Sequence, residues 1–225
     1  MSRVVSVIVP AFDEEAELPA LFDHLDSLDG EWEVLVADGG SRDRTVEIAR
    51  ECGATVVSEG ASRATQLNAA TERAGGDLLV FLHADSRLPA DAHRSLSTVD
   101  PWIGGGNFAL RFDGGDRFAR VLTRAYALQR RLGFYYGDST IWLRRTTFAA
   151  LGGYRDLPIM DDYDLVRRLE RDFQTECLPG PALTSPRRWR AIGVPRTLVS
   201  WWVIRLLFVS GVPATRLARL YKRVR

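Results

Sequence analysis

The feature that most constrains the fold is an alternation, up to Asp85, of short apolar runs with segments of helical periodicity. Residues 4–9 are Val-Val-Ser-Val-Ile-Val, and a β-branched apolar run that a proline ends predicts a buried parallel strand. Further strands are predicted at 33–37, 55–57 and 77–82, and helices at 14–28, 43–51 and 62–74. Because β-α-β units cross over with one hand, the alternation predicts an α/β fold with a mostly parallel sheet.

Polar residues follow three of the predicted strands, in the segments Pro10–Glu15, Asp38–Asp43 and His83–Asp85. Ligands of open α/β sheets bind beyond the carboxyl ends of the strands, so the sequence predicts an acidic ligand-binding edge. A carboxylate at the end of a buried strand, such as Asp85, needs a partner, and His83 points the same way on an extended backbone. With a diphosphate, these two residues can hold Mg²⁺ or Mn²⁺, which favour oxygen ligands. The alternative for His83 is a hydrogen-bonded structural histidine.

Two adjacent carboxylates, Asp161 and Asp162, stand at the start of a helix predicted over 162–172. One of them can cap the helix. Adjacent residues cannot both do so, which leaves the other to act as a general base. The first strand is not followed by a GxGxxG segment, and the chain has no Walker loop, so both common nucleotide-binding fingerprints are absent.

The second half of the chain is less regular. A strand or hairpin is predicted at 104–112, a helix at 116–132, a strand at 139–143 and a short helix at 145–151. We therefore expect one domain over 1–190, followed by a basic, apolar helical tail (191–225).

The net charge of +1 is a cancellation between two parts of the chain. All 29 acidic residues precede Cys177 and ten of the 30 basic residues follow it, so the first 176 residues carry −9 and the remainder +10. The basic end favours contact with an anionic surface or a phosphate-bearing ligand, the alternative being a solvated basic face. With 225 residues, 46% of them hydrophobic, the chain can bury a large core, which excludes a disordered protein.

Residues 198–209 are almost wholly apolar but too short to span a bilayer, which takes about 20 residues. Trp201, Trp202 and the neighbouring arginines are typical of a helix lying on anionic lipid; a core helix or a homodimer interface is the alternative. Two distant cysteines indicate neither a disulfide framework nor a zinc site. The start of the chain lacks the pattern of a signal peptide, which favours a cytoplasmic location.

Four segments together resemble the ordered signature of family 2 glycosyltransferases: Ser6–Glu15, Asp38–Thr45, His83–Asp85 and the pair Asp161 and Asp162. The resemblance runs from about residue 4 to about residue 190. It implies a GT-A fold, in which a Rossmann-like, mostly parallel sheet is flanked by helices. It also implies that the domain consists of a nucleotide-sugar-binding half (1–100) and an acceptor-binding half (101–190). His83–Asp85, with the glycines near 105 and Gly137 next to Asp138, is similar to a compact bacterial subgroup of the family.

The resemblance also implies a role for each matched residue. Donor-nucleotide contacts are implied for Pro10, Phe12, Asp13, Glu14, Asp38, Arg63, Asn68 and His83. Within that set Asp38 matches the residue that reads the base, and Arg63 and Asn68 match a segment near the phosphates. Asp85 matches the last carboxylate of the metal-binding DxD motif, and Asp162 matches the catalytic base. The acceptor or diphosphate side is implied for Asp138, Asp161, Arg188 and Trp189. Two departures are Gly39, where a second acidic residue is usual, and His83, where the motif has aspartate.

These roles imply an inverting, metal-dependent transfer from a UDP- or GDP-sugar to a hydroxyl or phosphate. A lipid-linked acceptor would account for the tail. One alternative, a sugar-nucleotide nucleotidyltransferase, would need a glycine-rich basic loop where this chain has Asp13, Glu14 and Glu15. Another, a non-catalytic nucleotide-sugar-binding protein, does not account for Asp85 and Asp162 together. Nucleic-acid binding lacks a recognition motif.

Overall fold

The computed structural model describes residues 4–114, 117–185 and 194–221, and there the chain forms one eight-stranded sheet flanked by helices. The strands are β1 (Val5–Ala11), β2 (Trp32–Asp38), β3 (Thr55–Val57), β4 (Leu78–Phe81), β5 (Ser86–Arg87), β6 (Ile103–Phe112), β7 (Ile141–Arg144) and β8 (Gln174–Thr184). The helices are α1 (Leu18–Asp26), α2 (Thr45–Glu51), α3 (Arg63–Arg73), α4 (Ala92–Ser97), α5 (Arg117–Arg131), α6 (Arg145–Ala150), α7 (Asp161–Asp172), α8 (Val194–Val209) and α9 (Ala214–Leu220).

The sheet has the order β3-β2-β1-β4-β7-β6-β8-β5, and its first four strands are parallel. Val7 lies between Val34 of β2 and Val80 of β4. β7 then pairs antiparallel with both β4 and β6, whereas β6 and β8 are parallel. The predicted parallel sheet of the first half is thus confirmed, and the sheet continues into the second half with mixed pairing.

Two apolar layers cover the faces of the sheet because successive strand residues point to opposite sides. Val5, Val7 and Val9 of β1 pack on the layer that contains α1, α2 and α4. Ile8 points to the other layer, which contains α3 and α7. The strand ends between these layers carry the polar segments that the sequence singled out.

The structure differs from the predicted elements where local turns intervene. The helix expected from residue 14 begins at Leu18, since the amides of Glu17 and Leu18 donate to the carbonyl of Glu14 in a preceding turn. The strand expected from 139 begins at Ile141, because a 3₁₀ turn occupies Gly137–Ser139 and Thr140 is left-handed, with a φ of 53°. The segment 104–112 is part of a single strand rather than a hairpin.

β8 was not predicted. Its eleven residues, QTECLPGPALT, include two prolines, which cannot donate to a strand ladder. The register between β6 and β8 shifts between Phe108 and Leu110, beside these prolines, so an irregularity accommodates them. A sequence pattern does not predict such a strand, because it contains two prolines and its side chains do not alternate between buried and exposed.

The C-terminal helices pack against the second half of the sheet domain. Ile204 of α8 and Leu217 of α9 are buried together with Ile159, Met160 and Tyr163. Among the described residues, no helix combines the length and apolarity that crossing a membrane requires.

Candidate active site

The loops after β1 and β2 are tied together by hydrogen bonds to their acidic residues. Asp38 is 3% exposed, and its carboxylate accepts from the amides of Gly40 and Ser41, at 3.1 Å each, and from Ser58 Oγ at 3.2 Å. Asp13 Oδ1 accepts from the amide of Arg42 at 2.9 Å, while the amide of Asp13 donates to Ser41 Oγ at 3.0 Å. The sequence-predicted nucleotide residues of these two loops therefore form one continuous wall.

Close packing explains the glycine at position 39. A Cβ there would lie 3.0 Å from Cδ2 of Phe12 and 3.2 Å from the carbonyl oxygen of Ala11, to which the Gly39 amide donates at 2.8 Å. Phe12, Pro10 and Glu14 are half-buried in the same wall. The Phe12 ring packs so closely on this loop that glycine fits at position 39 better than the acidic residue that is usual there.

A second group of side chains comes from three different elements. Arg63, the first residue of α3, donates from Nη1 to Asp161 Oδ2 at 2.5 Å, and its Nη2 lies 3.4 Å from His83 Nε2. Arg63 is held there because Ser62 caps the helix in a reciprocal pair with Thr65. The guanidinium therefore joins α3, the end of β4 and the start of α7.

Asp162 lies beside this group at the start of α7. Its Oδ2 accepts from the Gly137 amide at 2.8 Å and its Oδ1 from the Tyr163 amide at 2.7 Å. Burial, reinforced by the negative charge of Asp161, raises the pKa of Asp162 to about 6, although Arg63 and the two amides oppose the shift. Asp162 is thus ionised at neutral pH but a stronger proton acceptor than an ordinary aspartate.

The helix cap differs from the sequence expectation. α7 begins at Asp161, and the capping position is Met160, which has a φ of 67° and makes no side-chain cap. The expectation that one of the two aspartates caps the helix is therefore wrong: Asp161 pairs with Arg63 and Asp162 with the Gly137 amide.

The segment that carries His83 and Asp85 is a turn, closed by the Ser86 amide donating to the His83 carbonyl at 3.0 Å. The expected extended backbone is therefore wrong at this point, although both side chains are half-buried and the residues between and after them are buried. Among the described residues, no three His, Cys, Asp or Glu side chains are grouped to hold a metal. Mg²⁺ and Mn²⁺ sites use one or two protein carboxylates plus substrate phosphates, so Asp85 suits such an ion.

The other predicted residues fall into different surroundings. The Asn68 side chain makes two hydrogen bonds to the backbone of Tyr154, at 2.8 and 2.9 Å, and so braces the loop that leads to Asp161. Asp138 accepts from the Tyr126 hydroxyl at 3.4 Å. Arg188 and Trp189 lie outside the described residues.

Sequence reasoning missed the aromatic residues behind Asp162. The Tyr136 ring centre lies 5.6 Å from that of Tyr163 and 5.8 Å from that of Trp201 on α8. Burial raises the pKa of Tyr136 to about 12, against the opposing charge of Arg205. The neighbouring Gly137 and Asp138 were noted as a motif, but only the tertiary contact with α8 distinguishes Tyr136 from any other core tyrosine.

The comparison with known families bears directly on the strand-end motifs. Residues 6–98 match the model of glycosyl transferase family 2. This segment, about two-fifths of the chain, is therefore similar to family 2 glycosyltransferases. The match includes β1, β2 and β4 with the loops that follow them, whereas Asp161 and Asp162 lie beyond it.

Two curated relatives match different shares of the chain. The chain is 32% identical over 101 residues, 40% of its length, to an undecaprenyl-phosphate 4-deoxy-4-formamido-L-arabinose transferase of Aeromonas hydrophila, of which this covers 31%. It is 26% identical over 239 aligned residues to a beta-monoglucosyldiacylglycerol synthase of Nostoc, covering 89% of this chain and 51% of that one. The chain thus spans about a third to a half of the length of these relatives.

A solved structure extends the similarity to the whole fold. A mannosyltransferase from Pyrobaculum calidifontis, in complex with GDP-Man and Mn²⁺, superimposes with a TM-score of 0.65 at 21% identity. The superposition covers 100% of this chain and 66% of the other. The expected GT-A fold is confirmed.

Proposed function

We propose that this chain is an inverting glycosyltransferase of family 2 that moves a sugar from a nucleoside-diphosphate sugar to an acceptor hydroxyl or phosphate. The observation that carries the proposal is Asp162, a half-buried carboxylate whose pKa is raised to about 6 beside the Arg63–Asp161 ion pair. The names of both relatives above describe glycosyl transfer or glycolipid synthesis, and the mannosyltransferase was solved with a nucleotide sugar.

In this proposal each half of the site has its own task. The wall of Pro10, Phe12, Asp13, Glu14 and Asp38 binds the nucleoside. Arg63 donates charge-assisted hydrogen bonds to the donor phosphates as negative charge develops on the leaving group, and Asn68 acts through the loop that it braces.

Asp162 accepts the proton of the acceptor hydroxyl as its oxygen attacks the anomeric carbon. The Gly137 and Tyr163 amides hold this carboxylate in place for the attack. The inverted anomer follows because a single attack from the opposite side displaces the diphosphate. Asp138, Asp161, Arg188 and Trp189 are assigned to the acceptor and diphosphate side.

Asp85, with His83 nearby, is the residue that would hold Mg²⁺ or Mn²⁺. When bound, such an ion neutralises negative charge on the leaving diphosphate. The observations that support this assignment are the half-buried carboxylate in the turn between β4 and β5 and the Mn²⁺ in the structurally similar mannosyltransferase.

For the acceptor we propose a lipid-linked molecule, met in the cytoplasm at the inner face of a membrane. Two observations favour it: one relative is named for undecaprenyl phosphate and the other for a glycosylated diacylglycerol. The basic, apolar tail of this chain is consistent with that choice.

The donor is tested by thermal-shift measurements with UDP- and GDP-sugars, each with and without Mn²⁺. A donor that binds the folded state raises the melting temperature by mass action. We expect one nucleotide to shift the wild type in a Mn²⁺-dependent way and to shift Asp85→Asn equally with or without the ion. No shift with any donor would contradict the proposal, and release of pyrophosphate from a nucleoside triphosphate and a sugar phosphate would favour the nucleotidyltransferase alternative.

A further inference from the structure

The helix α8 has two unlike faces. Its inner face buries Ile204 and Arg205 against the sheet domain. Its outer face exposes a stripe of apolar side chains at a spacing of three to four residues, namely Val199, Trp202, Val203, Leu206 and Val209. Leu206 is 66% exposed and Trp202 54% exposed. A contiguous apolar stripe of this kind marks a surface that another partner covers.

The neighbouring helix α5 carries a second stripe of the same character. Val121, Leu128 and the adjacent Leu132 are each about 60% exposed. Arginines are interspersed with them on the exposed side, at Arg117, Arg120, Arg124 and Arg131, and α5 contains no acidic residue. The two helices meet at Trp201, which packs both in the α8 cluster and against the cluster of Ala119 and Leu122.

We propose that the exposed sides of α5 and α8 form one docking face, here called the bilayer face, for an anionic lipid bilayer. It consists of the two stripes, the four exposed arginines of α5, and Arg216 and Arg219 of α9. Apolar side chains enter the headgroup boundary while arginines contact lipid phosphates, as in helices that lie in the interface. The sequence alone pointed only to 198–225, since nothing local places α5 beside the tail.

Charge is what favours a bilayer over a second copy of this chain. A symmetric dimer through the bilayer face would set its arginines against the same arginines of the other copy. No acidic residue is present in α5 or after Glu176 to offset that repulsion. An anionic surface meets both requirements, because it accepts apolar groups and neutralises the arginines.

A short chain of contacts connects the bilayer face to Asp162, the proposed catalytic base. Trp201 contacts Tyr136 at 5.8 Å between ring centres, and the next residue, Gly137, donates its amide to Asp162. A chain docked in this way holds Asp162 close to the membrane surface, which suits the lipid-linked acceptor of the proposed function. The docking itself does not depend on that function and is measured without turnover.

The test is co-sedimentation of the full chain with vesicles of phosphatidylcholine alone or with about one-third phosphatidylglycerol. We expect binding to the anionic vesicles only, weakened by added salt. Leu206→Glu in α8 and the double variant Val121→Glu, Leu128→Glu in α5 should each lower the partition coefficient about tenfold or more. Trp102→Glu is the matched control, because Trp102 is also an exposed apolar side chain, at 67%. It lies just before the first residue of β6, whereas α5 packs against the last residue of that strand, Phe112.

Four outcomes would overturn the proposal: no binding of the wild type, equal loss in Trp102→Glu, no loss in the α5 variant, or a lipid-free dimer that Leu206→Glu dissociates. We expect each variant to fold because every changed side chain is exposed, and melting curves check this. Donor thermal shifts run on the same samples separate the two proposals. A chain that binds vesicles but no donor retains the bilayer face and loses the proposed function.

Discussion

At the scale of single residues, the proposed chemistry depends on how the surroundings of Asp162 set the pKa of its carboxylate. Burial and the charge of Asp161 disfavour its ionisation, while Arg63 and two backbone amides favour it. The balance leaves a carboxylate whose pKa of about 6 lies close to the pH at which the protein would work. The pH dependence of turnover and the pH dependence of the unfolding free energy should both report this pKa.

The first prediction concerns the pH dependence that Asp162 produces. Turnover should rise with pH and reach half its maximum near pH 6. The turnover of Asp162→Asn should be about a hundredfold lower or worse, while the variant still binds donor. Because the folded pKa lies above that of the unfolded chain, the contribution of Asp162 to stability is present at about pH 4 and lost as the pH rises through 6.

Two measurements check it. Initial rates are recorded as a function of pH, and urea unfolding of wild type and Asp162→Asn is compared from about pH 4 to 8. The difference in unfolding free energy between the two should change between pH 4 and 6 and be constant above. A flat difference would show that folding does not raise the pKa of Asp162, and full activity of the variant would assign the base to another residue.

A second prediction follows from the position of Arg63. Arg63→Gln removes the positive charge that favours the ionised form of Asp162, so the midpoint of the pH–rate profile should move upward. The KM for the donor should rise as well, since Arg63 is the proposed phosphate ligand. The control is Arg155→Gln, which removes an exposed arginine 3.2 Å from Asp164, in the same first turn of α7. If both variants move the midpoint equally, the effect is not specific to Arg63.

At the scale of elements, the sequence was most informative where strands are short, apolar and parallel. β1, β2 and β4 follow from period and composition, and topology then brings Asp13 and Asp38 together without any further knowledge. The Arg63–Asp161 contact joins residues 98 positions apart, and no periodicity encodes it. β8 and the 3₁₀ turn at Gly137 depend on partners across the sheet, so local patterns could not specify them.

The 3₁₀ turn yields the third prediction. A Cβ at Gly137 would lie 2.8 Å from His83 Nε2 and 3.3 Å from Asp162 Oδ2. Because the end of a histidine side chain can move, Gly137→Ala should fold normally but displace the site, with turnover about tenfold lower or worse. Gly75→Ala is the control, since its Cβ would make an ordinary contact, 3.4 Å from Glu33.

Melting temperature and kcat are measured for both glycine variants. Equal losses of turnover in the two would show that the Gly137 effect is a general loss of stability. Normal turnover in Gly137→Ala would mean that neither His83 nor Asp162 needs its present position.

At the scale of the whole molecule, the charge asymmetry of the chain acquires a spatial meaning. The acidic half supplies the strand ends and the carboxylates of α7, whereas the exposed arginines of α5 and α9 lie on helices that pack in the two clusters joined by Trp201. The predicted boundary near residue 190 separates the two in sequence. In space, Tyr136, Tyr163 and Trp201 share one aromatic cluster across it.

The last prediction is that the tail and the sheet domain unfold together. A tail that merely followed the domain would melt in a transition of its own, but α8 shares buried side chains with α7 and with the loop before it. Calorimetry should therefore show one transition.

Trp201→Ala removes the side chain that joins the two clusters and should lower the unfolding free energy by about 2–4 kcal/mol. The KM for the acceptor should rise, and the affinity for the donor should be unchanged. Trp102→Ala, which removes a side chain that is 67% exposed, should leave all three near wild type. A second transition in the wild type, insensitive to Trp201→Ala, would establish the tail as an independent unit and remove its proposed link to Asp162.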